Sequence, residues 1–152
     1  MTDREFVLDV MRKSGLASAR NLRERAVAGA SGTEVIGEEE FVPNYPPDGK
    51  RDFSAVPLGA PYKYDGQVYK LWSQHNANGQ PDWTPDKAVS LWDIYHTTDP
   101  AKAKTYFPPQ GTRGLYKTGE VMVWTDGLVY RSTINNNGWT PETLPSGWEV
   151  VT

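Results

Sequence analysis

One aromatic pattern occurs twice in this chain. "YDGQVYKLWSQHNANGQPDWTPDKAVSLWDI" runs from Tyr64 to Ile94, and "TDGLVYRSTINNNGWTPETLPSGWEV" runs from Thr125 to Val150. Domains usually hold about 100 to 200 residues and rarely build a good core below about 40. A repeat within 152 residues therefore calls for very small modules.

Each copy places Asp-Gly between strand-like segments: "APYKY" and "QVYKLW" around Asp65-Gly66, then "VMVWT" and "LVYRSTI" around Asp126-Gly127. Asp-Gly tolerates the positive φ angles of a tight hairpin turn, so each copy is expected to hold a β-hairpin. A third strand is expected after each Trp-Thr-Pro corner, at "SLWDI" and "SGWEVV". The intervals Trp83 to Trp92 and Trp139 to Trp148 are equal, whereas Tyr69 to Trp83 is five residues longer than Tyr130 to Trp139. Loops absorb insertions at small cost in closure entropy, which makes "SQHNANGQPD" a surface loop.

A sheet this small has little apolar area, and large rings remove the most surface from water. The positions shared by both copies are accordingly read as scaffold: Val68 and Val129, Tyr69 and Tyr130, Trp83 and Trp139, Trp92 and Trp148. Alignment on the Asp-Gly turns pairs Trp72 with Thr133 and Trp124 with Lys63. Neither Trp is required by the shared fold, so these two are the ligand candidates.

Before the repeats, Thr2 and Glu5 have capping-box spacing, and Phe6, Val7, Val10 and Met11 recur at helical intervals. The spacing predicts a helix over 3–13 ending near Gly15, and a second from about 19 to 28 with Ser18 as N-cap. This arm, 1–28, either docks on a partner, associates with copies of itself or covers a neighbouring module. Residues 29–50 are rich in Gly, Pro and acids and read as a linker. Its run Glu38 to Glu40 reads as a solvated face rather than a cation site. The first module is placed at 51–96, a connector at 97–114 and the second module at 115–152. The expected fold class is mainly β: two small three-stranded antiparallel β modules in tandem, preceded by a short α-helical N-terminal arm.

Composition narrows the function. Sixteen Lys and Arg are scattered among 19 Asp and Glu, without the concentrated basic face that nucleic acid requires. With no Cys, neither disulfides nor a thiolate zinc site can staple the modules. The N-terminus has no unbroken apolar run, so neither a signal peptide nor a membrane span is expected. His75 and His96 are the only histidines. No metal-ligand spacing, nucleophile elbow or phosphate-binding glycine loop occurs, and no pair of carboxylates is singled out for glycoside hydrolysis. The expectation is a protein without catalysis, metal or cofactor.

The order Tyr, turn Gly, Val-Tyr, polar loop, Trp-Thr-Pro, then Leu-Trp or Gly-Trp resembles the small Trp-rich carbohydrate-binding modules attached to bacterial chitinases. More closely, "HNANGQPDWTPDKAVSLWDI" followed by "PPQGTRGLYKTGEVMVWTDGLVYRSTINNNGWTPETLPSGWEVV" is similar to paired modules in tail and other structural proteins of bacteriophages and prophages. The resemblance covers about 51–152. It implies a glycan binder on the particle: a tail, fibre or capsid appendage on the virion surface, assembled in the host cytoplasm.

Sugar recognition needs flat apolar faces for C–H surfaces and planar polar groups for hydroxyls. The first copy offers Trp72, Gln74, His75, Asn76 and Asn78; the second offers Trp124 with Asn135, Asn136 and Asn137. The Asn residues also suit ordinary turns. The expected partners are a bacterial surface or environmental polysaccharide and, through the arm, other virion proteins. Homo-oligomerisation is expected, and nucleic acid and membrane insertion are not. The rival expectation is a structural decoration or adaptor whose modules bind protein.

Overall fold

The computed structural model describes residues 1–152. Its N-terminus carries the expected capping box: Glu5 N–H donates to Thr2 Oγ1 (3.1 Å), and Thr2 N–H donates to Glu5 Oε2 (2.8 Å). The helix that follows, α1 (Asp3–Val27), does not stop at Gly15 as the sequence pattern predicts. One interior glycine costs about 1 kcal/mol, less than nucleating a second helix. Its far end is anchored by burial of Leu22 and Ala26. It closes with the paired bonds of a Schellman motif, Gly29 N–H to Ala26 O and Ala30 N–H to Arg25 O (both 3.0 Å), with Gly29 at φ +102°.

The expected linker is folded. Ser31 caps a short helix, α2 (Gly32–Gly37), and its Val35 and Ile36 join Leu22, Ala26, Val42, Val68 and Tyr95 in one buried cluster. Gly and Pro set the turns of this segment, but the apolar side chains between them decide where it lies. A Cβ at Gly32 would fall 1.9 Å from His96 O, so only glycine lets α2 approach the end of the first module this closely. The acidic run is largely paired: Glu38 with Arg25 (2.7 Å) and Glu39 with Lys104 (2.5 Å).

The first module is a three-stranded antiparallel sheet, β1 (Pro61–Tyr64), β2 (Gln67–Leu71) and β3 (Trp92–Ile94), in that order. Asp65 and Gly66 both have positive φ, as a two-residue hairpin demands. Its core of Phe53, Tyr69, Leu71, Ala77, Trp92 and Ile94 is completed by Tyr45 from the expected linker and Phe107 from the expected connector.

The second module departs from the expected three strands. Connector residues form β4 (Lys104–Thr105), parallel to β5 (Val121–Val123), which continues antiparallel to β6 (Val129–Ser132) and β7 (Trp148–Val150). Its Asp-Gly turn also differs: only Gly127 has positive φ, while Trp124 O accepts from Gly127 N–H and Trp124 N–H donates to Leu128 O. That is a three-residue loop with a glycine bulge. Tyr116, Met122 and Trp148 form the core.

The chain thus joins a long N-terminal helix to a three-stranded antiparallel sheet and a four-stranded mixed sheet, with roughly equal helix and strand content. "Mainly β" understates the helix. No helix is long and apolar enough to cross a membrane.

Candidate functional site

The repeated tryptophans divide into two kinds. Trp92 and Trp148 are buried, as the repeat implies, but Trp83 and Trp139 remain 39% and 52% exposed. The corner uses their main chain instead. Trp83 O accepts from Tyr45 OH (3.3 Å), while Trp139 O accepts from Trp148 Nε1 (2.9 Å) and Trp139 N–H donates to Asn137 Oδ1 (3.1 Å). Repetition therefore marks a backbone requirement here and leaves both rings facing solvent.

The candidate amides are mostly committed to loops. Gln74 donates to Val56 O, Asn76 accepts from Asn78 N–H, Asn78 accepts from Arg51 N–H, and Asn135 accepts from Thr118 N–H. Asn137 is fully buried and donates to Ser132 Oγ and Gly147 O, so it holds the second module together and cannot meet a ligand. His75 Nδ1 donates to Ser73 O, and its ring lies among Phe53, Trp83 and Trp92. Only Asn136 keeps a free amide in the second set; its φ of +52° fits the turn chemistry of Asn.

Trp72 does not meet the candidate amides of its own module. It is 48% exposed after β2, and it lines a cleft of about 370 Å³ together with Asn136 of the second module. The Arg113 guanidinium lies 4.6 Å from the Trp72 ring centroid and is held there by Val89 O (2.9 Å) and Trp92 O (3.4 Å). On another side, Trp72 borders an apolar groove with Val27 and Leu58.

Trp124 belongs to a separate open cleft of about 330 Å³, with Tyr130, Asp126 and Glu142. Its ring is half-buried, edge-on to Tyr106 at 5.1 Å. Tyr130 OH donates to Asp126 Oδ2 (2.6 Å) and Leu128 N–H donates to Oδ1 (2.9 Å). These bonds hold the Asp126 carboxyl below its ordinary range, the hydroxyl bond contributing most. Burial pushes Glu120, beside the intermodule cleft, the other way.

The repeat marks Tyr130 only as scaffold, and Glu142 and Arg113 carry no sequence signal, because no spacing rule brings these residues to the clefts. No cluster of residues suited to hold a metal ion is present. No protein-family model and no curated protein matches the chain.

Proposed function

We propose that this is a non-catalytic component of a bacteriophage or prophage virion that presents two aromatic modules to glycans of a bacterial surface. The observation that carries the reading is the second module's cleft, where Trp124 and Tyr130 stand beside Asp126 and Glu142. Rings supply the stacking face and carboxylates accept sugar hydroxyls. Hydrogen bonds that favour the ionised form suit Asp126 to accept rather than to protonate a leaving group. Trp139, outside this cleft, presents a further exposed ring on the same module.

The virion assignment comes from the resemblance of 51–152 to paired phage modules, with the particle surface as its location after assembly in the host cytoplasm. The N-terminal helix supplies the attachment in this proposal: Phe6, Val7, Leu8, Val10 and Met11 are all exposed along its first half. An apolar stretch of this kind is a docking or self-association surface. Weak sugar sites, doubled in one chain and multiplied in an oligomer or on a particle, gain effective concentration.

The test is pull-down on bacterial cells and purified cell-wall polysaccharides, comparing the wild type with Trp124→Ala and Trp139→Ala. The full chain is the reagent, because Leu22, Val35 and Ile36 pack on Val68 of the first module. Binding lost in a folded variant supports the reading; absence of binding to every surface and polysaccharide ends it.

One observation favours the rival, a decoration or adaptor that binds protein. Val27, Leu58 and Trp72 are exposed around one groove of about 370 Å³. Aliphatic neighbours suit an apolar side chain better than a sugar. Leu58→Lys abolishing incorporation into the particle, with polysaccharide binding intact, would favour that role for the groove.

A further inference from the structure

The cleft beside Trp72 is lined by the first module, the segment entering the second, the second module itself and the turn after α1. The first module contributes Lys70, Trp72 and Asp93, and the segment entering the second contributes Arg113 and Lys117. Asn136 and Glu120 line it from the second module, together with Gly29–Gly32 of the turn after α1. At about 370 Å³ the cleft lies within the ordinary size range of small-ligand sites.

Its charges are not evenly matched. Lys70 is 3.9 Å from Asp93, a long ion pair, and Glu120 accepts from Lys117 N–H, a backbone bond. The Lys117 ammonium is in no ion pair at contact distance, although its charge acts on the Glu120 carboxyl, and the Arg113 guanidinium has carbonyl partners but no carboxylate. Three cations against two carboxylates leave this cleft positive in a chain whose net charge is −3. Beside the cations stand the half-exposed Trp72 ring, one face of which lies under the Arg113 guanidinium, and the uncommitted amide of Asn136.

We propose that the two modules build one shared ligand site in this cleft, and that it takes an acid-bearing saccharide. Lys117 and Lys70 meet the acidic group, the part of the Trp72 ring that Arg113 leaves exposed packs against the sugar ring, and Asn136 bonds its hydroxyls. Carboxylate and phosphate satisfy the same ammonium donors, so a uronate polymer and a sugar-phosphate polymer share the required chemistry. The tandem arrangement then has a purpose beyond avidity, since neither module alone contains the site. The inference rests on the glycan-binding reading and deepens it.

The test is calorimetric titration of the full chain with three oligomers of equal length: an oligouronate, a hexose-phosphate oligomer and a neutral oligosaccharide. At least one acidic oligomer is expected to bind about tenfold or more tightly than the neutral one, with the preference fading at high salt. Which acidic oligomer binds identifies the group. Lys117→Gln, Trp72→Ala and Asn136→Ala are expected to weaken acidic binding about tenfold or more, while Lys50→Gln, a matched charge loss at an exposed residue outside the clefts, leaves it unchanged. Unfolding curves of all four variants confirm that the fold is kept; the Lys117 and Asn136 variants decide the result should the Trp72 variant unfold. Equal affinity for neutral and acidic oligomers, or acidic binding indifferent to Lys117 and Asn136, overturns the shared site while glycan binding stands. Binding of none of the oligomers overturns the shared site alone, and the polysaccharide pull-down then decides the wider reading.

Discussion

The His96 ring lies on the Tyr116 ring with 3.7 Å between centroids and 16° between planes, and this stack joins the end of the first module to the start of the second. His96 Nε2 is also 2.8 Å from Gly114 O, where it donates. Burial disfavours the charged imidazole and moves its pKa from 6.5 down to about 4, against the smaller opposing effect of the Gly114 bond. The folded chain therefore keeps His96 neutral where the unfolded chain would protonate it.

Stability should respond accordingly. Between pH 6.5 and about 4 the unfolded state binds the extra proton, so the contribution of neutral His96 is complete above 6.5 and lost as the pH falls to 4. The full effect is roughly 3 kcal/mol. Urea unfolding across this range should show the wild type losing stability faster on acidification than His96→Gln. Parallel pH profiles for the two proteins would contradict the assignment.

Asn137 and Asn135 look alike in sequence and should behave differently. Asn137→Ala removes both buried donor bonds and the acceptor of Trp139 N–H, leaving partners unsatisfied, for an expected loss of about 2–4 kcal/mol. Asn135→Ala removes one exposed bond to Thr118 N–H and should cost about 1 kcal/mol or less. Chemical denaturation of both variants measures the contrast.

Trp139 and Trp148 separate a proposed ligand contact from scaffold. Trp148→Ala opens the core it shares with Tyr116 and Met122, at an expected cost of about 3–5 kcal/mol. Trp139→Ala removes an exposed ring while its backbone bonds persist, so stability should change by about 1 kcal/mol or less and glycan retention should fall. Melting curves paired with polysaccharide pull-down read both effects; a large stability loss in Trp139→Ala would return that ring to the scaffold.

The first half of α1 should govern association without supporting the monomer. Val10→Glu combined with Met11→Glu alters two exposed side chains and should shift monomer stability by about 0.5 kcal/mol or less. Sedimentation equilibrium of the wild type should show concentration-dependent self-association, or particle assembly should show incorporation, and the double variant should lose whichever is observed. Retention of both by the variant would place the interface elsewhere.

Much of the local structure was legible from short-range chemistry. The capping box at Thr2 and Glu5, the hairpins at Asp65-Gly66 and Asp126-Gly127, and the strands through Trp92 and Trp148 all follow from neighbours a few residues apart. The continuous helix through Gly15 was not, because a breaker's cost is weighed against burial of Leu22 and Ala26 on a distant segment. The candidate amides could not be told apart in sequence for a related reason. Turn chemistry and sugar recognition select the same residue types, and only hydrogen-bond partners distinguish buried Asn137 from free Asn136.

The sequence by itself determined that two aromatic hairpin modules would form, since turn geometry, strand alternation and ring size act locally and repeat with the pattern. Only the tertiary structure decided that segment 29–50 completes a core, that Lys104–Thr105 adds a strand, and that Trp72 faces Asn136 across a shared cleft. Those outcomes depend on which apolar surfaces find each other once the chain closes on itself. The hydrophobic effect that drives the closure is proportional to area and has no direction, so no local spacing records it.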